Sequence, residues 1–208
     1  TLPPFAINSL GKDFRVTLIH ANPEERNDIP GIEAIQNADA LLVSVRRRVL
    51  PPEEIKMLKD FVAAGKPVIG IRTASHAFSL RKQEPPQGLA DWPEFDNQVF
   101  GGNYTNHHGN DLVATVSTTG LDHPILRDIP EEPFKSGGSL YKTSPLQEGA
   151  QILMTGNVEG HPAEPVAWTY TRKDGGRSFY TSLGHVKDFE NPEFLKLLAN
   201  GIKWALEI

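Results

Sequence analysis

The stretch from Asp39 to Ile71 limits what this chain can fold into more than any other. Asp39-Ala40-Leu41-Leu42-Val43-Ser44-Val45 is a nearly continuous apolar run, the kind of strand that a parallel sheet buries on both faces. Pro51-Pro52-Glu53-Glu54 then opens a helix: proline costs little in a first turn whose N–H groups lack partners, and the two acids sit at the positive end of the helix dipole. Ile55, Leu58, Phe61 and Val62 fall on one helical face, and Gly65 closes the helix. Val68-Ile69-Gly70-Ile71 follows as a second buried strand. Strand, helix and strand at this spacing form a right-handed βαβ unit, which makes the chain an α/β protein.

The second strand breaks into Arg72-Thr73-Ala74-Ser75-His76. Ligands of open α/β sheets bind beyond the carboxyl ends of the strands, so this turn delivers Arg72, Thr73, Ser75 and His76 to the mouth of a pocket. The plainer alternative is a helix start in which Thr73 or Ser75 is the cap and His76 is simply exposed. Three further segments bring polar groups to strand ends: Arg46-Arg47-Arg48, Asn103 to His108, and Gly184-His185. Guanidinium groups facing imidazoles suit an oxygen-rich ligand, because the first supply planar donors and the second accept or transfer protons near neutrality. His76, His107 and His185 are therefore the candidates for proton transfer. Arg46, Arg47, Arg72, Ser75, Asn103 and Tyr104 are the candidates for holding a ligand. Each has a plainer reading: a solvated arginine face, a loop histidine pair, a hydrogen-bonded strand terminus for His185, and packed core for an aromatic such as Tyr104 or Trp168. His107 and His108 could also hold a divalent metal such as zinc, although adjacent side chains diverge and rarely share one ion. No other cofactor is expected, since no Gly-x-Gly-x-x-Gly fingerprint is present.

The remaining chain is consistent with one domain spanning residues 1–208, a length that buries one good core at 38% apolar content. A net charge of −5 argues against nucleic acid as a partner. No apolar run approaches the roughly 20 residues of a membrane span. The absence of cysteine removes disulfides, a thiolate nucleophile and a zinc–thiolate site. Compartment stays open, and so does assembly into a homo-oligomer. Residues 1–11 read as a helix, and because an α/β chain seldom begins with its helix, the strand expected before it either lies upstream of Thr1 or never existed, the first being the expectation. Residues 14–20 alternate as a strand, and 31–37 make a short helix. The polar insertion 80–97 has the length of a functional lid. Short strands follow at 112–117, 139–142, 150–155, 166–170 and 178–182, the last two joined by the hairpin signal Asp174-Gly175-Gly176, before a closing helix at 192–206. Asp122-His123-Pro124 reads as a capped turn with a structural histidine.

Several of these segments together resemble a known family. Gly70-Ile71-Arg72-Thr73-Ala74-Ser75-His76-Ala77-Phe78, the stretch from Gly101-Gly102 to His107-His108, Asp122-His123-Pro124, and Pro165-Val166-Ala167-Trp168 continuing to Gly176-Arg177-Ser178-Phe179-Tyr180-Thr181-Ser182-Leu183-Gly184-His185 look like the trehalose-utilisation (ThuA-like) family. The likeness runs from Asp39 onward, and the last motif is its most specific part. It implies a fold similar to class I glutamine amidotransferases: a flavodoxin-like, mostly parallel sheet with helices on both faces and an antiparallel hairpin near the C-terminus. It also implies a link to the catabolism of trehalose and related sugars. In the amidotransferases the nucleophilic cysteine occupies the strand-to-helix elbow, where this chain carries Arg72, so glutamine hydrolysis by that route is rejected. His185 resembles the base of that machinery without its nucleophile. Many family members carry His in place of Arg72 and Asp in place of His76, so a family metal or catalytic role does not transfer directly.

The expectation is a sugar-processing protein, a hydrolase or isomerase working by acid–base chemistry on a small-molecule sugar derivative. The alternative is a non-catalytic sugar-binding or interaction module that kept a pocket and lost a nucleophile.

Overall fold

A computed structural model describes residues 1–208. The βαβ unit is formed as expected: strand β1 (Leu41–Val43), helix α2 (Pro52–Ala63) and strand β2 (Val68–Ile71), with β1 and β2 parallel. The N-terminal segment is helical, an α-turn α1 (Leu2–Phe5) running on as a π-turn at Ala6–Leu10. Downstream come β3 (Asn106–His107), β4 (Thr115–Thr118), β5 (Phe134–Lys135), β6 (Tyr141–Lys142), β7 (Ala150–Asn157), β8 (Glu164–Thr171), β9 (Arg177–Thr181) and helix α3 (Pro192–Ala205).

Seven strands make one sheet in the order β1-β2-β9-β8-β7-β4-β5, and β3 pairs with β6 in a separate ribbon. Only β1 with β2 and β2 with β9 run parallel; from β9 outward every neighbour is antiparallel. The mostly parallel sheet is thus corrected to a mixed one. The reason is the connections: a parallel neighbour needs a long crossover, whereas β8 and β9 are joined by a tight turn through Asp174-Gly175-Gly176.

Alternation along the parallel strands divides the core. Ile69, Ile71 and Phe179 join Phe194, Leu197, Leu198 and Ile202 of α3 in one cluster, while Val68, Trp168 and Tyr180 join Ile55, Leu58, Phe61 and Val62 of α2 in the other. Each fully buried side chain of these stripes contributes roughly 1.5–3 kcal/mol. Asn191 fixes the start of α3 by accepting hydrogen bonds from the N–H groups of Glu193 (2.8 Å) and Phe194 (3.3 Å).

Residues 14–20 do not form the expected strand. No backbone–backbone hydrogen bond involves residues 15–20, and Val16 and Leu18 are 41% and 44% exposed. The outer edge of β1 has no paired neighbour either. No helix is long and apolar enough to cross a membrane.

Candidate functional site

The site begins where β2 ends. Gly70 is required there by space, since a Cβ would lie 2.4 Å from the ring of Phe100. The next residue, Arg72, turns the chain with a left-handed φ of 45° and opens a single 3-10 turn, Arg72–His76. Its carbonyl accepts hydrogen bonds from the Tyr180 hydroxyl at 2.6 Å and from Ser75 Oγ at 3.2 Å, which pins the elbow to β9. Its guanidinium donates to the Ser182 carbonyl (3.0 Å) and Ser139 Oγ (3.3 Å) and lies over the Tyr141 ring at 4.6 Å. Arg72 thereby ties three segments together and does not line the adjoining cleft.

That cleft has a volume of about 710 Å³, and only two of its fifteen lining residues are hydrophobic. Among the sequence candidates, Arg47, Ser75, His76, Asn103 and Tyr104 line it. His76, 8% exposed, stacks on Tyr104 with ring centroids 4.5 Å apart and an interplanar angle of 25°. Its Nδ1 is 3.1 Å from Ser75 Oγ, and because that hydroxyl also reaches the Arg72 carbonyl, the arrangement in which Nδ1–H donates to Ser75 satisfies both groups. Nε2, which has no hydrogen bond within the chain, is then a neutral acceptor. Burial, followed by the charges of Arg47, Arg46, Arg81 and Arg72, pushes the His76 pKa down to about 3. Arg47 is held against this group by its N–H donating to the His76 carbonyl at 3.0 Å.

Asp96 supplies the opposite kind of group. Although the residue as a whole is half-buried, its Oδ1 is sealed from solvent and has no hydrogen-bond partner, while Oδ2 accepts from the Tyr104 N–H at 2.9 Å. Gly102 covers the carboxyl so closely that a Cβ there would lie 2.4 Å from Oδ1. Burial raises the Asp96 pKa to about 7, against the Tyr104 N–H, which favours the charged form. A neutral imidazole and a carboxyl whose ionisation is pushed up to about neutrality therefore border the same cleft.

The other candidates sit elsewhere. His185 shares the rim with Arg72, since Gly184 packs against Ile71 and Arg72, but its Nδ1 accepts from the Lys187 N–H at 3.3 Å and caps the turn Val186–Glu190. Arg46 is exposed outside the cleft lining. His107 Nδ1 lies 2.6 Å from the His108 carbonyl oxygen, whereas the His108 ring packs on His161 with centroids 4.5 Å apart. The pair thus has different neighbours, as successive residues of an extended strand do, and no group of three or more His, Cys, Asp or Glu able to hold a metal ion is formed. Trp168 is core, 1% exposed, with Nε1 donating to the Phe100 carbonyl at 2.7 Å.

A family model described as ThuA, trehalose utilisation, matches residues 6–205. The chain belongs to that family. Membership supports a role in sugar utilisation. Among solved structures, a ThuA-like protein from Bacteroides uniformis is 15% identical with a TM-score of 0.64, covering 84% of this chain and 71% of its own. A ThuA-like protein from Parabacteroides merdae is 17% identical with a TM-score of 0.61, covering 83% of this chain and 71% of its own. A cytoplasmic protein from Salmonella typhimurium is 10% identical with a TM-score of 0.57, over 89% of this chain and 76% of its own. At such identities the likeness is one of fold. No curated protein matches the chain.

The charged lining residues of this ThuA-family cleft that escape the sequence reading are Arg81, Lys82 and Asp96. All belong to the insertion read as a lid, which packs its aromatic residues Trp92 and Phe95 into the core instead, so its polar residues become a wall. The signal for them was the Arg81-Lys82 pair closely following His76; for Asp96 the sequence offers none.

Proposed function

We propose that the cleft binds a sugar derivative and that the protein carries out acid–base chemistry on it, of the isomerase or hydrolase type, with His76 Nε2 as the group that takes the proton. The observation that carries this reading is the neutral His76 imidazole, clamped between Ser75 and Tyr104, facing a cleft with a wall of polar side chains. A volume of about 710 Å³ suits a small ligand, and the scarcity of apolar lining favours a hydroxyl-rich one. Family membership in trehalose utilisation points the same way. Pairs of groups whose surroundings push their pKa values apart mark acid and base assignments, and His76 and Asp96 form such a pair. Arg47, Asn103 and Tyr104 are the residues assigned to hold the sugar.

The second reading, a sugar-binding module without turnover, is favoured by one fact: a histidine with a pKa near 3 is a weak base. Calorimetric titration with trehalose, glucose and sugar acids, followed by a mass-spectrometric search for conversion, separates the two. Binding with turnover that disappears in His76→Gln while affinity persists supports the enzyme. Binding with no conversion of any sugar supports the module, and no binding of any sugar removes both.

A further inference from the structure

We infer that the cleft takes an anionic sugar derivative, one whose carboxylate or phosphate is held by Arg47, Arg81 and Lys82. The inference rests on the sugar reading above and adds the charge of the ligand.

Three cationic side chains line the cleft, and none of them has a carboxylate within ion-pairing distance. In a chain with a net charge of −5 this is not the average surface. The one acidic side chain of the lining, Asp96, gives one oxygen to a backbone N–H and keeps the other sealed, so it forms no ion pair with any of the three. Burial disfavours the charge of Arg47 and the neighbouring Arg81 guanidinium disfavours it further, an arrangement that an anion beside Arg47 relieves. Arg47 gives the chain only a long contact from Nη1 to the Ser79 carbonyl, 3.4 Å, so most of its donors remain available to a ligand.

The backbone adds an independent sign. Five residues other than glycine adopt a positive φ, and three of them are arginines of this quarter: Arg47 (51°), Arg72 (45°) and Arg81 (65°). Glycine would adopt these conformations freely, whereas an L-side chain costs about 1 kcal/mol or more at each. Arg72 offsets that strain with the hydrogen bonds described above. Arg81 is exposed and has no hydrogen bond from its side chain, so its strain is retained without a structural return inside the chain. Ligand chemistry agrees. Sugar hydroxyls need acceptors as well as donors, and guanidinium and ammonium groups accept nothing, whereas a carboxylate or phosphate accepts only.

The test is calorimetry at low salt with four probes: D-glucose, D-gluconate, D-glucose 6-phosphate and inorganic phosphate. At least tenfold tighter binding of gluconate or glucose 6-phosphate than of glucose, weakening as KCl is raised, is the expected result. Gluconate ahead of the phosphate ester assigns a carboxylate, and the reverse order a phosphate. The double variant Arg81→Gly/Lys82→Gln should bring the preferred probe close to glucose while unfolding no earlier than the parent, because glycine relieves the left-handed residue. Glucose binding as tightly as both sugar anions overturns the inference and leaves the sugar reading intact. Inorganic phosphate binding as tightly as the sugar anions overturns the sugar reading, leaving anion recognition alone. No binding of any probe overturns both.

Discussion

Arg72 is both the most conspicuous residue of the strand-end motif and a structural tie. Its guanidinium satisfies the Ser182 carbonyl and Ser139 Oγ, and its flat face covers Tyr141. Arg72→Met keeps much of the stem but leaves these acceptors without a donor, at about 1–2 kcal/mol for each, and keeps the left-handed backbone. The expected result is a loss of roughly 2–4 kcal/mol in urea unfolding, with ligand affinity falling only as a consequence of the moved elbow. An unchanged unfolding midpoint would show that the guanidinium is not holding β2, the segment before β6, and the end of β9 together. Asn103 and Tyr104 differ from Arg72 in that their neighbours leave them facing the cleft, and no local pattern distinguishes the two situations. What the sequence supplies is the residue type and its place at a strand end; whether its donors are already taken is decided by residues such as Ser139 and Ser182, far away in the chain.

At the scale of elements, the joint between the β8–β9 hairpin and helix α2 depends on Arg172. It is 3% exposed, meets the Asp174 carboxylate at 3.1 Å, donates to Ser178 Oγ at 3.0 Å, and reaches the carbonyls of Val62 (3.3 Å) and Lys66 (2.8 Å). Removing one partner of a buried charged network strands the others, so Arg172→Leu should cost about 3–5 kcal/mol and lower the melting temperature by many degrees. A melting temperature within a degree or two of the parent would contradict this joint. The hairpin itself was legible, because Asp174-Gly175-Gly176 between two apolar runs is turn chemistry. The hub was not, since Arg172 beside Lys173 reads as an exposed turn. Residues 14–20 show the converse limit. Their alternation describes a face to be buried, but a strand exists only with a neighbour to pair with, and the edge of β1 does not pair with them. The mixed sheet has the same origin: buried apolar runs are alike in parallel and antiparallel neighbours, so β2 and α2 were legible and the direction of the strands beyond β9 was not.

Across the whole molecule, the two perturbed groups of the cleft make stability depend on pH in opposing senses. His76 takes up its proton near pH 3 when folded and near 6.5 when unfolded, so the unfolded chain binds more protons between these values and stability falls as the pH drops through that window. Asp96 releases its proton near pH 7 when folded and near 3.8 when unfolded, so the folded chain binds more protons in that interval and stability falls as the pH rises through it. The slopes oppose each other where the windows overlap, leaving a flat profile there. The lowered pKa values of His108 and His123 add to the acid-side loss, and the raised values of Glu54 and Asp91 add to the other. Asp96→Asn removes one arm. Its stability relative to the parent should rise between pH 4 and 8, by up to roughly 4 kcal/mol before any relaxation of the site, and the overlap region should acquire a positive slope. Urea midpoints of both proteins at pH 4, 6 and 8 measure it, and parallel profiles would mean that Asp96 is not a buried acid. The same comparison repeated with saturating gluconate links the profile to the cleft: burial is the main cause of the lowered His76 pKa and the arginine charges add to it, so an anion beside Arg47 and Arg81 should raise that pKa and shrink the acid-side loss, and an unchanged acid-side slope would place the anion elsewhere.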